Sequence, residues 1–226
     1  MNRFSVWYSE ERDKLRGMTF REAFSYIFSY YWLHILIVSV LVAVPIILLT
    51  HVMYGNPEYR LYVIFANTRT DAGNDSELWK DYLKFSGSED AGDEVHFDAQ
   101  CYIDTSRNLA GDHYFTTFIV LAETGTLDLI TMSLSDLEIL AQSGRILNLR
   151  DPICERLIMK YGDRLIYATD PESGERYPVG VDLSSSLLVT KYGVYAGDCA
   201  AGLGVNTSDM DEIMTFLDFL MEGETQ

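Results

Sequence analysis

The sequence predicts an α/β chain: an N-terminal interfacial and transmembrane helix, followed by a single mixed-sheet α/β domain. Three observations carry that prediction. A 21-residue run from Leu33 to Met53, LHILIVSVLVAVPIILLTHVM, holds no Asp, Glu, Lys or Arg. Beyond it, short β-rich runs alternate with segments of helical period that open on capping residues. A hairpin signal, Asp170-Pro-Glu-Ser-Gly174, interrupts that alternation late in the chain. The expected divisions are a lead-in over 1–32, a span over 33–53 and an outer domain over 54–226.

A helix rises about 1.5 Å per residue, so the apolar run is long enough for a hydrocarbon core of about 30 Å. Ser39 and Thr50 can bond back to the helix, and Pro45 is expected to kink it. Tyr26, Phe28, Tyr30, Tyr31 and Trp32 mark one interface and Tyr54 the other. About 32 residues precede the run and no small-residue cleavage site follows it, which argues against a removed signal peptide.

Charge is divided unevenly along the 226 residues. The formal net charge is −17, yet residues 1–32 carry five Lys/Arg against four acids, and the rest carries twelve against thirty. The basic side of a span faces the cytoplasm, so the N-terminus is expected inside a cell membrane crossed once, and the outer domain extracellular. A sequence pI near 4.4 excludes a general nucleic-acid binder, which needs a basic face for phosphates.

In the lead-in, Phe4, Trp7 and Tyr8 open a polar stretch. Thr19 and Glu22 have capping-box spacing. Phe20, Phe24, Ile27, Phe28 and Tyr31 then share one face, as in a helix lying in the membrane interface. The helix over 19–32 offers itself either to lipid or to a membrane-protein partner, while residues 33–53 meet the lipid bilayer.

The outer domain reads in order as follows. Leu61–Ala66 is the first strand. Glu77–Lys84 has helical spacing at Leu78 and Tyr82, with Asp75 or Ser76 as its cap. Ser86–Glu94 is an acidic loop, and Val95–Ile103 alternates as a half-buried strand does. Tyr114–Ala122 suits strand or helix. Thr126–Met132 is a strand, and Ser135 with Glu138 forms a second capping box, closed by Gly144. Asp151-Pro152 opens a helix that ends at Gly162. Arg164–Ala168 and Glu175–Val181 flank the hairpin turn. Ser184–Leu188 is a short helical turn, and Cys199–Val205 a strand of small residues. Ser208 and Asp211 form a third capping box, before a stripe of Ile213, Phe216, Leu217 and Leu220.

Two stretches resemble the extracellular solute-binding proteins of the periplasmic-binding type II class. In Leu127–Leu149, an Asp128-Leu129-Ile130 strand precedes a helix and a Leu140-Ala141-x-x-Gly144 ending. In Gly204–Met221, Asn206-Thr207-Ser208 leads into a Phe216-Leu217-x-Phe219-Leu220 helix. The layout, with its aromatic lead-in over Met18–Trp32, is also similar to single-pass membrane proteins of Gram-positive gut bacteria. The resemblance implies one lobe of the two-lobed solute-binding fold, since about 172 residues follow the span. It carries over no binding residue.

Candidate chemistry is thin. Cys101, Cys154 and Cys199 form no C-x-x-C pair; one disulfide between Cys101 and Cys199 or three inert thiols are the alternatives. His96, beside Val95 and Phe97, is expected to face solvent, and His113 to sit in a turn. The acidic runs 71–77 and 88–94 lack the calcium-loop spacing and are expected to be solvated. The glycines of 197–204 lack the Lys and the following helix of a phosphate cradle, and suit a tightly packed strand. No catalytic, cofactor or metal residue is assigned. The expectation is a non-catalytic, membrane-anchored binding or interaction protein, whose outer ligand is a small molecule or a protein. The alternatives are a surface hydrolase using scattered carboxylates or Cys199, and an accessory subunit of a membrane complex.

Overall fold

The structure is a computed structural model that describes residues 12–13, 16–54, 59–171 and 173–221. The aromatic start at Phe4, Trp7 and Tyr8 lies outside them. The chain divides into two compact units, Met1–Pro57 and Glu58–Gln226.

In the first unit, helix α1 runs from Phe20 to Tyr54. Thr19 begins it as predicted: its N–H and hydroxyl both donate to the Glu22 carboxylate, at 2.9 and 2.8 Å. Among the described residues no single helix is long and apolar enough to cross a membrane. The stretches Phe20–Tyr26 and Tyr31–Ile47 pass that requirement together, bent by 72°. The sharp turn falls over residues 27–30, and Pro45 lies inside the second stretch. Within that turn the Ser29 hydroxyl donates to the Ser25 carbonyl one turn back (2.7 Å).

The second unit is an α/β domain on one mixed sheet. Its strands are β1 (Leu61–Ala66), β2 (Val95–Cys101), β3 (Leu129–Met132), β4 (Leu165–Thr169), β5 (Arg176–Asp182) and β6 (Ala200–Leu203), in the order β2-β1-β3-β6-β5-β4. β1 is parallel to both β2 and β3, whereas β6, β5 and β4 add antiparallel. The helices are α2 (Glu77–Ser86), α3 (His113–Glu123), α4 (Leu134–Ala141), α5 (Glu155–Tyr161), α6 (Leu187–Thr190) and α7 (Met210–Met221).

Side-chain alternation along β1 builds two cores. Leu61, Val63 and Phe65 point to one face, against Tyr82 of α2, Leu157 of α5 and Phe216 of α7. Tyr62, Ile64 and Ala66 point to the other, against Phe118 of α3 and Leu137 of α4. Every β1 residue is buried, as a strand covered on both sides must be. The first core is aromatic: Phe97 and Tyr82 each lie 5.1–5.3 Å from the Phe216 ring. Burying such a ring contributes about 2–3 kcal/mol.

Several local readings shift. Tyr114–Ala122 is helical, and His113 is the first residue of α3 rather than a turn residue, because Asp112 accepts from Phe115 N–H and caps it. The cap of α4 is Ser133, not Ser135, and α7 starts behind Asp209, which accepts from Glu212 N–H (3.1 Å), rather than behind Ser208. Any of these residues suits a cap; the end of the preceding strand or turn selects among them. Ser76, not Asp75, caps α2. The acidic 88–94 segment contains a 3-10 turn, Glu89–Glu94.

Candidate functional site

In an open sheet with parallel strands, a ligand crevice lies beyond the strand carboxyl ends, where successive connections leave in opposite directions. Here that place is beside β1. The chain leaves β1 to form β2 on one flank and returns to form β3 on the other. The loops after β1, β2 and β3 carry Asn67 and Arg69, Ile103 and Asp104, and Ser133, with Asp136 in the first turn of α4.

Asn67 closes the β1–β2 side. Its φ is +58°, a left-handed value that Asn tolerates. Its side chain accepts from Ile103 N–H (3.0 Å) and donates to Ile103 C=O (2.8 Å), extending the ladder where the strands part. On the β1–β3 side, pairing ends at Phe65 and Thr131. The Tyr195 hydroxyl fills that opening. It donates toward the carbonyls of Thr131 (2.8 Å) and Ala66 (3.1 Å), and shares a 2.8 Å contact with the Thr131 hydroxyl. Arg69 N–H donates to Val194 C=O (2.9 Å), and the Thr70 hydroxyl donates to Tyr192 C=O (3.3 Å). The segment Tyr192–Tyr195 thus seals the crevice from within the chain. Burial pushes the Tyr195 phenol well above its usual range, so it stays neutral.

The remaining polar groups at this edge hold loops. Asp136 receives the hydroxyls of Thr105 and Ser133, which ties the 102–112 loop to the start of α4. Asp104 accepts from Ser106 and pairs with Arg107 at 2.8 Å; the Ser106 hydroxyl is the main reason its carboxyl lies below the usual range.

The candidates from the sequence fall in separate places. Cys101, Cys154 and Cys199 are all free and buried. Desolvation raises the thiols of Cys101 to about 12 and Cys154 to about 11, and lifts Cys199 well above its ordinary value, which favours the protonated thiol. The disulfide alternative for Cys101 and Cys199 is not realised. His96 is corrected: it is half-buried, its ring 4.7 Å from Tyr62 and 5.1 Å from Tyr59. Burial lowers its pKa. The Asn74 amide lies 3.1 Å from His96 Nδ1, while Asn74 Oδ1 accepts from Phe97 N–H. Among the described residues no three His, Cys, Asp or Glu side chains converge to hold a metal ion.

The glycines of the β6 segment have a packing role. A Cβ on Gly204 would meet the Leu127 carbonyl oxygen at 2.2 Å, and one on Gly202 would meet Leu137 Cδ1 at 2.7 Å. Gly180 on β5 faces the same Leu137, at 2.7 Å. Small residues on neighbouring strands let α4 settle against the sheet.

Two features went unseen in the sequence. Asp128, at the amino end of β3, is buried and accepts from Thr207 (2.6 Å) and from Tyr62 N–H (2.9 Å). Its signal is the Asp128-Leu129-Ile130 run, where a lone acid opens a buried strand. The second feature is an open groove of about 460 Å³ between α5 and α7, lined by Arg156, Met159, Lys160, Asp211, Met214 and Asp218. Its charges are paired, Arg156 with Asp211 and Lys160 with Asp218. Met159 stands 71% exposed at its rim.

Comparison of the chain with family models, with curated proteins and with solved structures returns no match.

Proposed function

We propose that this chain is a membrane-tethered, non-catalytic interaction protein. Residues 33–53 cross the bilayer, the N-terminus is cytoplasmic, and the domain from Glu58 onward presents a partner-binding surface outside. The observation that carries the reading is the exposed apolar surface of α1. Trp32, Leu36, Ile37, Leu41, Val42, Ile46 and Ile47 are each 50% or more exposed, which water would penalise and lipid would not. The uneven charge supports the orientation.

The outer domain is read as one lobe resembling the type II solute-binding fold. Its three parallel strands in the order β2-β1-β3, extended by antiparallel β6 and covered again by the C-terminal helix α7, support that likeness. Tyr195 in the strand-end crevice favours a protein partner over a small ligand, and the groove between α5 and α7 is the surface assigned to it.

Topology is tested with a tag at each end and protease added to whole cells. Loss of the C-terminal tag alone is expected; loss of the N-terminal tag overturns the orientation. Binding is tested by crosslinking the full chain in its own membranes, with Met159→Asp as the variant. Loss of a crosslinked partner in the variant supports the groove, and an unchanged set of partners removes it.

A further inference from the structure

The 72° turn in α1 has a geometric consequence for the lead-in. If Tyr31–Ile47 follows the membrane normal, Phe20–Tyr26 lies within about 20° of the membrane plane. We propose that Phe20–Tyr26 lies along the surface of an anionic bilayer, with Phe20 and Phe24 in the acyl boundary and Arg16 and Arg21 among the headgroups. The proposal rests on the membrane-tether reading above and adds the lipid class that the lead-in recognises.

Three observations on this unit support it. First, Phe20 and Phe24 are 89% and 64% exposed and four residues apart, hence on one helical face. Phe28 continues the row, stacked on Phe24 with ring centroids 6.2 Å apart. Second, the acid within this short helix is engaged. Glu22 accepts both Thr19 bonds and sits away from the phenylalanine row, which leaves the exposed Arg16 and Arg21 free to set the sign of the flank. Third, charge complementarity selects the surface. The lead-in carries five Lys/Arg against four acids, while the remainder taken together carries twelve against thirty. An anionic headgroup layer attracts the first part and repels the second, so it orients the tether as well as binding it.

The test uses the full chain in vesicles of phosphatidylcholine, with or without phosphatidylglycerol. Fluorescent labels go on single substitutions Phe20→Cys, Phe24→Cys and Leu41→Cys, and depth is read by quenching from lipids brominated at different positions. The native cysteines are buried and do not compete for label in the folded protein. A straight continuation of the span would set positions 20 and 24 about 6 Å apart in depth, at about 1.5 Å per residue. The bent arrangement reduces the difference to about 2 Å. A depth difference of about 2 Å near the headgroups, with stronger quenching when phosphatidylglycerol is present and loss of that gain in R16Q/R21Q, is the expected result. A 6 Å separation, absence of quenching at positions 20 and 24, or a gain that survives R16Q/R21Q overturns the proposal. A label at Leu41 that escapes deep quenchers overturns the membrane-tether reading instead, so the two failures are distinguishable.

Discussion

The Tyr195 hydroxyl sits 2.8 Å from both the carbonyl and the hydroxyl oxygen of Thr131, and so closes the sheet where β1 and β3 part. Thr131 is fully buried and Tyr195 is 7% exposed. Neither oxygen of Thr131 has water to fall back on. The same place in a ligand-binding α/β sheet would be open, and here the chain supplies its own occupant.

Tyr195→Phe removes the hydroxyl while keeping the ring. It takes the phenol donor from the Ala66 and Thr131 carbonyls and leaves the Thr131 hydroxyl only its 3.5 Å bond to the Ile64 carbonyl, at a cost of about 1–3 kcal/mol. Denaturant unfolding of the full chain in detergent should show a lower midpoint. Thr131→Val should cost less in the Tyr195→Phe background than alone, because the two share one interaction. Additive losses would disprove the pairing.

Gly202→Ala and Gly204→Ala should both destabilise, by about 1–3 kcal/mol, for different reasons. The first pushes on the movable end of Leu137, the second on the Leu127 backbone. Leu137→Ala should therefore recover part of the Gly202→Ala loss and none of the Gly204→Ala loss. Thermal unfolding of the double variants measures this.

Asp128 should make stability depend on pH. Burial lifts its carboxyl from 3.8 to about 6, against the hydrogen bonds from Thr207 and Tyr62, which pull it down. A pKa raised by folding means that the folded state holds the proton more tightly. The stabilisation is complete below about pH 4 and is lost as pH rises through about 6. Relative to Asp128→Asn, the native chain should lose on the order of 2–3 kcal/mol across that window. Parallel unfolding curves for the two proteins at every pH would disprove the assignment.

The three thiols should resist maleimide in the folded protein and react fully in denaturant, since each is buried and protonated at neutral pH. Their labelling then reports opening of the domain. Rapid reaction of Cys199 under native conditions would contradict its burial and reopen the nucleophile reading.

Much of the fold was legible because its signals are local. Leu61–Ala66 reads as a strand from its β-branched and aromatic run, and the structure gives the same bounds. The hairpin follows from Asp170 and Gly174 between two alternating runs, and β4 and β5 pair antiparallel as expected. Gly144 was expected to cap the helix, but α4 ends at Ala141 with the right-handed Gln142 as its cap, and Gly144, at φ +71°, turns the chain beyond it. Cap positions were the weaker reading. Ser133 and Ser135 look alike in sequence, and only the end of β3 at Met132 decides that Ser133 caps the helix. His96 was misread for a related reason: alternation along β2 turns its ring away from the first core, but Tyr59 and Tyr62 cover it from outside the strand.

The sequence by itself determined the alternating α/β order, the charge-free run after Leu33 and the division of charge along the chain. Each is a property of neighbouring residues or of simple counts. Only the tertiary structure decided what fills the strand-end crevice and which acid is buried. Tyr195 meets Thr131 across 64 positions, and Thr207 meets Asp128 across 79. A hydroxyl or carboxylate gains its role from the partner that replaces water around it. When that partner lies dozens of residues away, neither period nor spacing records it.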